Sequence, residues 1–267
     1  MTSPKERLIV ALDVPTAVDA QEIVYELGDS VSFYKVGLQL FTAEGPKIVC
    51  ELVNSGRKVF LDLKLHDIPN TVAGAVKSAA ELGVTMLTVH ASGGSKMLAA
   101  AAEAARQAPR PLVILGVTVL TSLGEEDLRE SGVQSTIPDQ VLRLAMLAKS
   151  AGCGGIVASP QESKKMRYAL GPEMAIVTPG IRPTGSDLGD QSRVATPTAA
   201  IQAGASHIVV GRPILSAPNR NEAAAGIIRE LSSNPQRRNG NGRHAAGLIQ
   251  SRKPARASRK TRTPSRR

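Results

Sequence analysis

Phe60-Leu61-Asp62-Leu63-Lys64-Leu65-His66-Asp67-Ile68-Pro69-Asn70-Thr71 contains the end of a strand, the start of a helix and three charges close to the junction. Side chains of an extended chain alternate, so Val59, Leu61 and Leu63 share one face and Phe60, Asp62 and Lys64 the other. Pro69 cannot donate to a ladder and suits a first helical turn. The strand is therefore expected to end near Leu65 and a helix to run from Asn70 to Leu82. Asp67 then lies just past the carboxyl end of the strand. Two acids and an ammonium packed this closely are costly to desolvate unless they are partnered. On an exposed strand Asp-x-Lys is an ordinary surface ion pair, and the surrounding sequence decides between the two readings.

Eight short apolar runs recur along the chain: Leu8 to Leu12, Phe33 to Leu38, Lys58 to Leu63, Val84 to Val89, Leu112 to Val119, Gly155 to Ala158, Ala175 to Thr178 and His207 to Val210. Helical composition separates seven of them from the next, over Ala17 to Leu27, Ala43 to Ser55, Asn70 to Leu82, Lys96 to Arg106, Asp139 to Ala151, Pro160 to Leu170 and Thr198 to Ala203. Asn221 to Leu231 follows the last run. Such alternation indicates βαβ units and a parallel sheet. Eight units at this length predict an α/β protein closed as a (β/α)₈ TIM barrel over residues 1–231.

Working groups of such barrels lie at the carboxyl ends of strands. Here those positions carry Asp13, Lys35, Asp62 with Lys64, His90, Thr118 with Thr121 and Ser122, Ser159, Arg182, and Gly211-Arg212. Polar groups from separate strands thus converge on one rim, which favours a site over a surface pair. The loops after the seventh and eighth runs are common phosphate sites. Thr178-Pro179-Gly180-Ile181-Arg182 leads into a loop from Thr184 to Thr196 containing Gly189-Asp190-Gln191-Ser192-Arg193, and Gly211-Arg212-Pro213 forms the second. Glycine lets backbone approach an anion, and arginine presents a planar fork to its oxygens. His66 and His90 read as hydrogen-bonded structural residues, although a histidine beside Asp67 could shuttle protons. No His/Asp/Glu set has metal-site spacing, so no metal and no cofactor are expected.

Of the 33 Lys and Arg residues, 11 fall after Leu231, where Asp and Glu are absent, leaving 22 basic against 23 acidic residues in the rest of the chain. The net charge of +10 therefore belongs to the segment 232–267, which is read as a disordered basic tail. The tail is taken as a solvated extension, with RNA or another acidic partner as the alternative. Cys50 and Cys153 are too few for a disulfide framework and are read as buried thiols in a reducing compartment. The first seven residues lack a signal-peptide core, and no apolar run approaches the ~20 residues of a membrane span. A cytoplasmic protein without a membrane partner is expected.

Asp62-Leu-Lys64-Leu-His66-Asp67-Ile68-Pro-Asn-Thr71 resembles the signature of the orotidine 5′-phosphate decarboxylase family, bacterial type. Ala11-Leu12-Asp13, Lys35-Val36-Gly37, Leu120-Thr121-Ser122, Thr178-Pro-Gly-Ile-Arg182, Gly189-Asp-Gln191 and Val210-Gly211-Arg212-Pro213-Ile214 follow in the family's order, between about Leu8 and Leu231. The resemblance implies a homodimeric barrel with shared active sites. It would convert orotidine 5′-phosphate to uridine 5′-phosphate and carbon dioxide, the last step of pyrimidine nucleotide synthesis. It further implies Lys64 as catalytic lysine and Asp62 as the carboxylate facing the substrate's own, with Asp67, Ile68 and Thr71 reaching into the partner's site. Asp13 and Lys35 would contact ribose, Thr121 the pyrimidine, Gln191 both base and phosphate, and Arg182, Gly211 and Arg212 the phosphate. The alternatives are a magnesium-dependent sugar-phosphate decarboxylase or synthase of the same barrel superfamily, which shares Asp-x-Lys-x-x-Asp, and a non-catalytic protein binding a phosphate ligand or nucleic acid.

Overall fold

In the computed structural model, which describes residues 3–183 and 194–232, the eight runs form parallel strands. These are β1 (Leu8–Ala11), β2 (Phe33–Gly37), β3 (Lys58–Leu65), β4 (Met86–His90), β5 (Val113–Val117), β6 (Gly155–Val157), β7 (Ala175–Thr178) and β8 (His207–Val210). They pair in sequence order, and β8 returns to β1 with Ile9 opposite Val209, which closes the barrel. The predicted (β/α)₈ architecture is present. The chain divides into Met1–Asn234, which holds the barrel, and Pro235–Arg267. The predicted basic tail beyond Ser232, and residues 184–193 of the long loop after β7, lie outside the described residues.

Helices α1 (Pro4–Arg7), α2 (Ala17–Leu27), α3 (Leu38–Glu44), α4 (Pro46–Asn54), α5 (Pro69–Glu81), α6 (Gly94–Arg106), α7 (Glu125–Glu130), α8 (Ile137–Ser150), α9 (Pro160–Leu170), α10 (Pro197–Gln202), α11 (Arg212–Leu215) and α12 (Arg220–Ser232) complete the described fold. Proline opens several of them, as Pro69 does α5, because its fixed φ suits the first turn and its missing N–H would have no partner there. The helix expected over Ala43 to Ser55 is α4, and its first two residues, Ala43 and Glu44, belong instead to the end of α3. Gly45 adopts φ +66° and donates its N–H to the Phe41 carbonyl, ending α3, and Pro46 begins α4. The short α1 and α7 were not anticipated, since four- and six-residue helices carry too little periodicity to read.

Strand parity sorts the core into two layers. Leu8, Val10, Tyr34, Val36, Val59 and Leu61 face the helices, while Ile9, Ala11, Phe33, Phe60, Met86, Leu115, Val177 and Val209 fill the barrel interior. Cys153 is buried, which pushes its thiol up to about 12, but Cys50 is only half-buried, on the flank of α4. Among the described residues no helix is long and apolar enough to cross a membrane.

His207, at the amino end of β8, sets its ring edge-on to Phe33 with centroids 6.0 Å apart. Its Nδ1 is buried without a hydrogen-bond partner among the described residues. Burial first, then the positive Arg7 and Lys58, pull its pKa down to about 4, with Glu6 opposing. The unfolded chain, with an ordinary imidazole near 6.5, therefore binds more protons between those values. The stability linked to His207 is complete above about pH 6.5 and falls as the pH drops toward 4, by on the order of 2 kcal/mol at pH 5. Urea midpoints should fall between pH 7 and pH 5, and His207→Asn should remove most of that slope.

Candidate active site

β3 departs from its ladder at the point where its charges begin. Leu61 pairs with Leu87 and Leu65 with Val89, so Asp62, Leu63 and Lys64 lie opposite Thr88 alone. Two extra residues preserve parity, which is why Asp62 and Lys64 both turn inward as alternation predicts. Lys64 takes φ +51°, a left-handed conformation that bulky residues avoid and that costs about 1–3 kcal/mol. Its side chain returns over Asp62, with Nζ 2.9 Å from Oδ2.

The strands on either side extend this pair. Lys35, from β2, places its ammonium 2.7 Å from Asp13 Oδ1 and 3.7 Å from Asp62 Oδ2. Asp13, Lys35, Asp62 and Lys64 therefore form a row of alternating charge, and each ion drawn from water meets an opposite one. Gly37 makes room for it, since a Cβ there would stand 2.8 Å from the Lys35 Nζ. Asp62 is buried, whereas Asp13 at the outer end is half exposed.

The row forms one wall of a cavity of about 460 Å³ at the carboxyl end of the barrel. Its floor is the top of the inner core, with Ala11, Phe60 and Val209, and its lining includes Arg182, Arg212 and Gly211, the last beside Asp13. Arg182 is buried and held by backbone: its N–H donates to the Ala195 carbonyl at 2.9 Å, and the Ala195 N–H to Gly180 at 3.3 Å. Thr121 lies on the wall with Leu120, in the loop after β5. Four cations and two carboxylates line the space, so an anionic ligand is favoured, with its charge toward the arginines. Both carboxylates already face lysine. Among the described residues no group of three or more His, Cys, Asp or Glu could hold a metal ion.

Asp13, Lys35, Asp62, Lys64, Thr121, Arg182, Gly211 and Arg212 thus share one cavity. Asp67, Ile68 and Thr71 are not among its lining residues. All three are exposed, Ile68 by 66%; Asp67 and Ile68 line a separate recess with His66, and Asp67 Oδ1 accepts the Ile68 N–H at 2.6 Å. Gln191 lies outside the described residues. Other groups expected at the rim serve the scaffold. Thr118 donates to the Val157 carbonyl at 2.8 Å, and Ser159 donates to Glu162. The rings of His66 and His90 lie 5.5 Å apart. Burial, then the positive potential of His66 and Lys64, lowers the His90 pKa, with Asp62 opposing. That shift favours the neutral imidazole.

Sequence reading missed Thr88, whose hydroxyl is within hydrogen-bond distance of both Lys64 and Asp62. Its signal was parity, because Met86, Thr88 and His90 share the inward face of β4.

The chain matches the family model described as "Orotidine 5'-phosphate decarboxylase / HUMPS family" over residues 6–227. It is 51% identical over 233 residues to the orotidine 5′-phosphate decarboxylase of Moorella thermoacetica, an alignment spanning 85% of this chain and 92% of that relative. Its structure is similar to that of orotidine 5′-phosphate decarboxylase from Lactobacillus acidophilus, with a TM-score of 0.77 and 40% identity, covering 85% of this chain and 99% of the other. It is also similar to an uncharacterized conserved protein from Geobacillus kaustophilus, at 0.74 and 34%, covering 84% and 99%.

Proposed function

The chain belongs to the orotidine 5′-phosphate decarboxylase / HUMPS family, and from that premise we propose that it converts orotidine 5′-phosphate to uridine 5′-phosphate and carbon dioxide in pyrimidine nucleotide synthesis. The observation that carries the reading is the row Asp13, Lys35, Asp62, Lys64 sharing one cavity with Arg182 and Arg212.

Breaking the bond from C6 to the carboxylate leaves its electron pair in the plane of the pyrimidine ring, where the π system cannot spread it. Lys64, pinned by Asp62, sets an ammonium beside that carbon, stabilises the pair as it forms and then gives C6 its proton. Asp62 repels the substrate carboxylate, and departure of carbon dioxide relieves that contact. Unit charges 4 Å apart at an effective dielectric near 20 interact by about 4 kcal/mol. The largest enzymatic accelerations need on the order of 20 kcal/mol. Binding energy from distant parts of the substrate must therefore be spent on the transition state. Asp13 and Lys35 hold the ribose, Thr121 meets the base, and Arg182, Gly211 and Arg212 hold the phosphate, with Gln191 bridging base and phosphate.

The sites are shared in a homodimer. Asp67, Ile68 and Thr71 stand exposed on the rim, away from their own cavity, as expected of groups that enter a partner's. Residues 1–231 act as the catalytic domain, in the cytoplasm and without a resident metal, since a lysine beside each cavity carboxylate disfavours a second cation.

Ultraviolet loss of orotidine 5′-phosphate, followed with and without a chelator, tests the reading. Equal turnover in both supports it. Failure on this substrate, with chelator-sensitive turnover of a sugar phosphate, would move the chain to the magnesium-dependent branch. Arg212→Ala should lower kcat/KM for orotidine 5′-phosphate by roughly one to two orders of magnitude, as expected for loss of a charge-assisted contact. Unphosphorylated orotidine should be affected far less, and equal losses would remove Arg212 from the phosphate site.

A further inference from the structure

We infer that Thr88 is a positioning residue whose hydroxyl sets both the Asp62 carboxylate and the Lys64 backbone. This rests on the roles of Asp62 and Lys64 proposed above. Thr88 is fully buried in β4, at the break in register where three residues of β3 lie opposite it alone. Its Oγ1 accepts the Lys64 N–H at 2.9 Å, a bond that the backbone ladder does not supply at the break. The same hydroxyl donates to Asp62 Oδ1 at 2.9 Å. A hydroxyl is one of the few small groups able to accept and donate at once, and here both capacities are used.

The consequence lies in the oxygen left over. With Oδ1 held by Thr88, the Asp62 carboxylate cannot rotate freely, and Oδ2 is the oxygen directed at Lys64 Nζ and Lys35 Nζ, 2.9 and 3.7 Å away. The bond to the Lys64 N–H also helps to hold that residue at φ +51°, from which its side chain folds back over Asp62. Such a backbone persists only where its surroundings enforce it. Threonine suits the task because a β-branched side chain in a strand has few χ1 choices, so the hydroxyl is aimed before the ligand arrives. The effect belongs to the chemical step. Thr88 is not among the residues that line the cavity, and of the groups proposed for ribose and phosphate only Lys35 has a described ion pair with Asp62, at 3.7 Å against 2.9 Å for Lys64.

Thr88→Val keeps the shape and removes both hydrogen bonds, whereas Thr88→Ser keeps the hydroxyl. Thr88→Val should lower kcat by roughly tenfold to a hundredfold, with KM for orotidine 5′-phosphate and calorimetric affinity for uridine 5′-phosphate within about threefold of the parent. Thr88→Ser should recover kcat to within about threefold. A merely structural residue would instead change the melting temperature and the fraction folded, leaving kcat per folded site unaltered. If the valine variant does not fold, Thr88→Cys replaces it, a weaker donor and acceptor of similar size, and should fall at least about fivefold below Thr88→Ser. A smaller drop in kcat than these, or serine losing as much as valine, overturns the inference. A parent chain inactive on orotidine 5′-phosphate would defeat the decarboxylase reading itself, whereas an active parent matched by an active valine variant defeats only the role of Thr88.

Discussion

Lys64→Ala is expected to lower kcat by roughly 10⁵ to 10⁷, the product of two separable losses. An ammonium within about 4 Å of a developing carbanion is worth roughly 4 kcal/mol at an effective dielectric near 20, about a thousandfold in rate. Loss of a positioned proton donor removes a further ~10²–10⁴. Affinity for uridine 5′-phosphate should change little, because the arginines and glycine proposed for the phosphate are supplied by the loops after β7 and β8. Lys64→Arg should not restore activity. Its guanidinium keeps the charge but does not give up a proton in proteins, and its fork does not fit the place of one Nζ beside Asp62. Single-turnover absorbance decay reads all three chains. A Lys64→Ala enzyme retaining a tenth of the parent rate would remove this lysine from the chemistry.

Mixing inactive Lys64→Ala and Asp67→Ala chains should return about a quarter of parental turnover, if subunits exchange at random in a two-fold dimer. In a mixed dimer with shared sites, one site carries both substitutions and the other carries neither. The expectation comes from the position of Asp67, exposed, outside its own cavity and accepting only a rim N–H in the described contacts. If sites were built within one chain, Asp67→Ala would be nearly silent and mixing would restore nothing. Co-incubation after mild denaturation, with turnover followed against time and mixing ratio, separates the two arrangements. Dilution to monomer should then extinguish the recovered activity if each competent site needs two chains.

Alternation within each strand decided the layers of this barrel. Ile9 and Ala11, Phe33 and Lys35, and Phe60 and Asp62 all face inward, as period two requires, because parity is a property of each strand by itself. The chemical types at the strand ends were legible for the same reason, as were the arginines after β7 and β8. The break at Gly45 was also open to reading, since Gly-Pro stops a helix, but the apolar periodicity across it obscured the stop.

Distances between strands were not legible. Parity places Lys35 and Asp62 on one face, yet their 3.7 Å approach follows from a register set when eight strands close on one another. Thr88 reads in the sequence as one more inward residue of β4. It meets both Asp62 and Lys64 only because β3 carries two extra residues at that level, and nothing local to either strand marks that excess. Asp67 follows the same division. The sequence placed it beyond the end of β3, but the turn into α5 decided that it would line a separate recess and not the cavity of its own chain. Side-chain alternation and turn chemistry are written in neighbouring residues, whereas register, bulges and the aim of a rim loop depend on elements far apart in the chain and exist only once the barrel has closed.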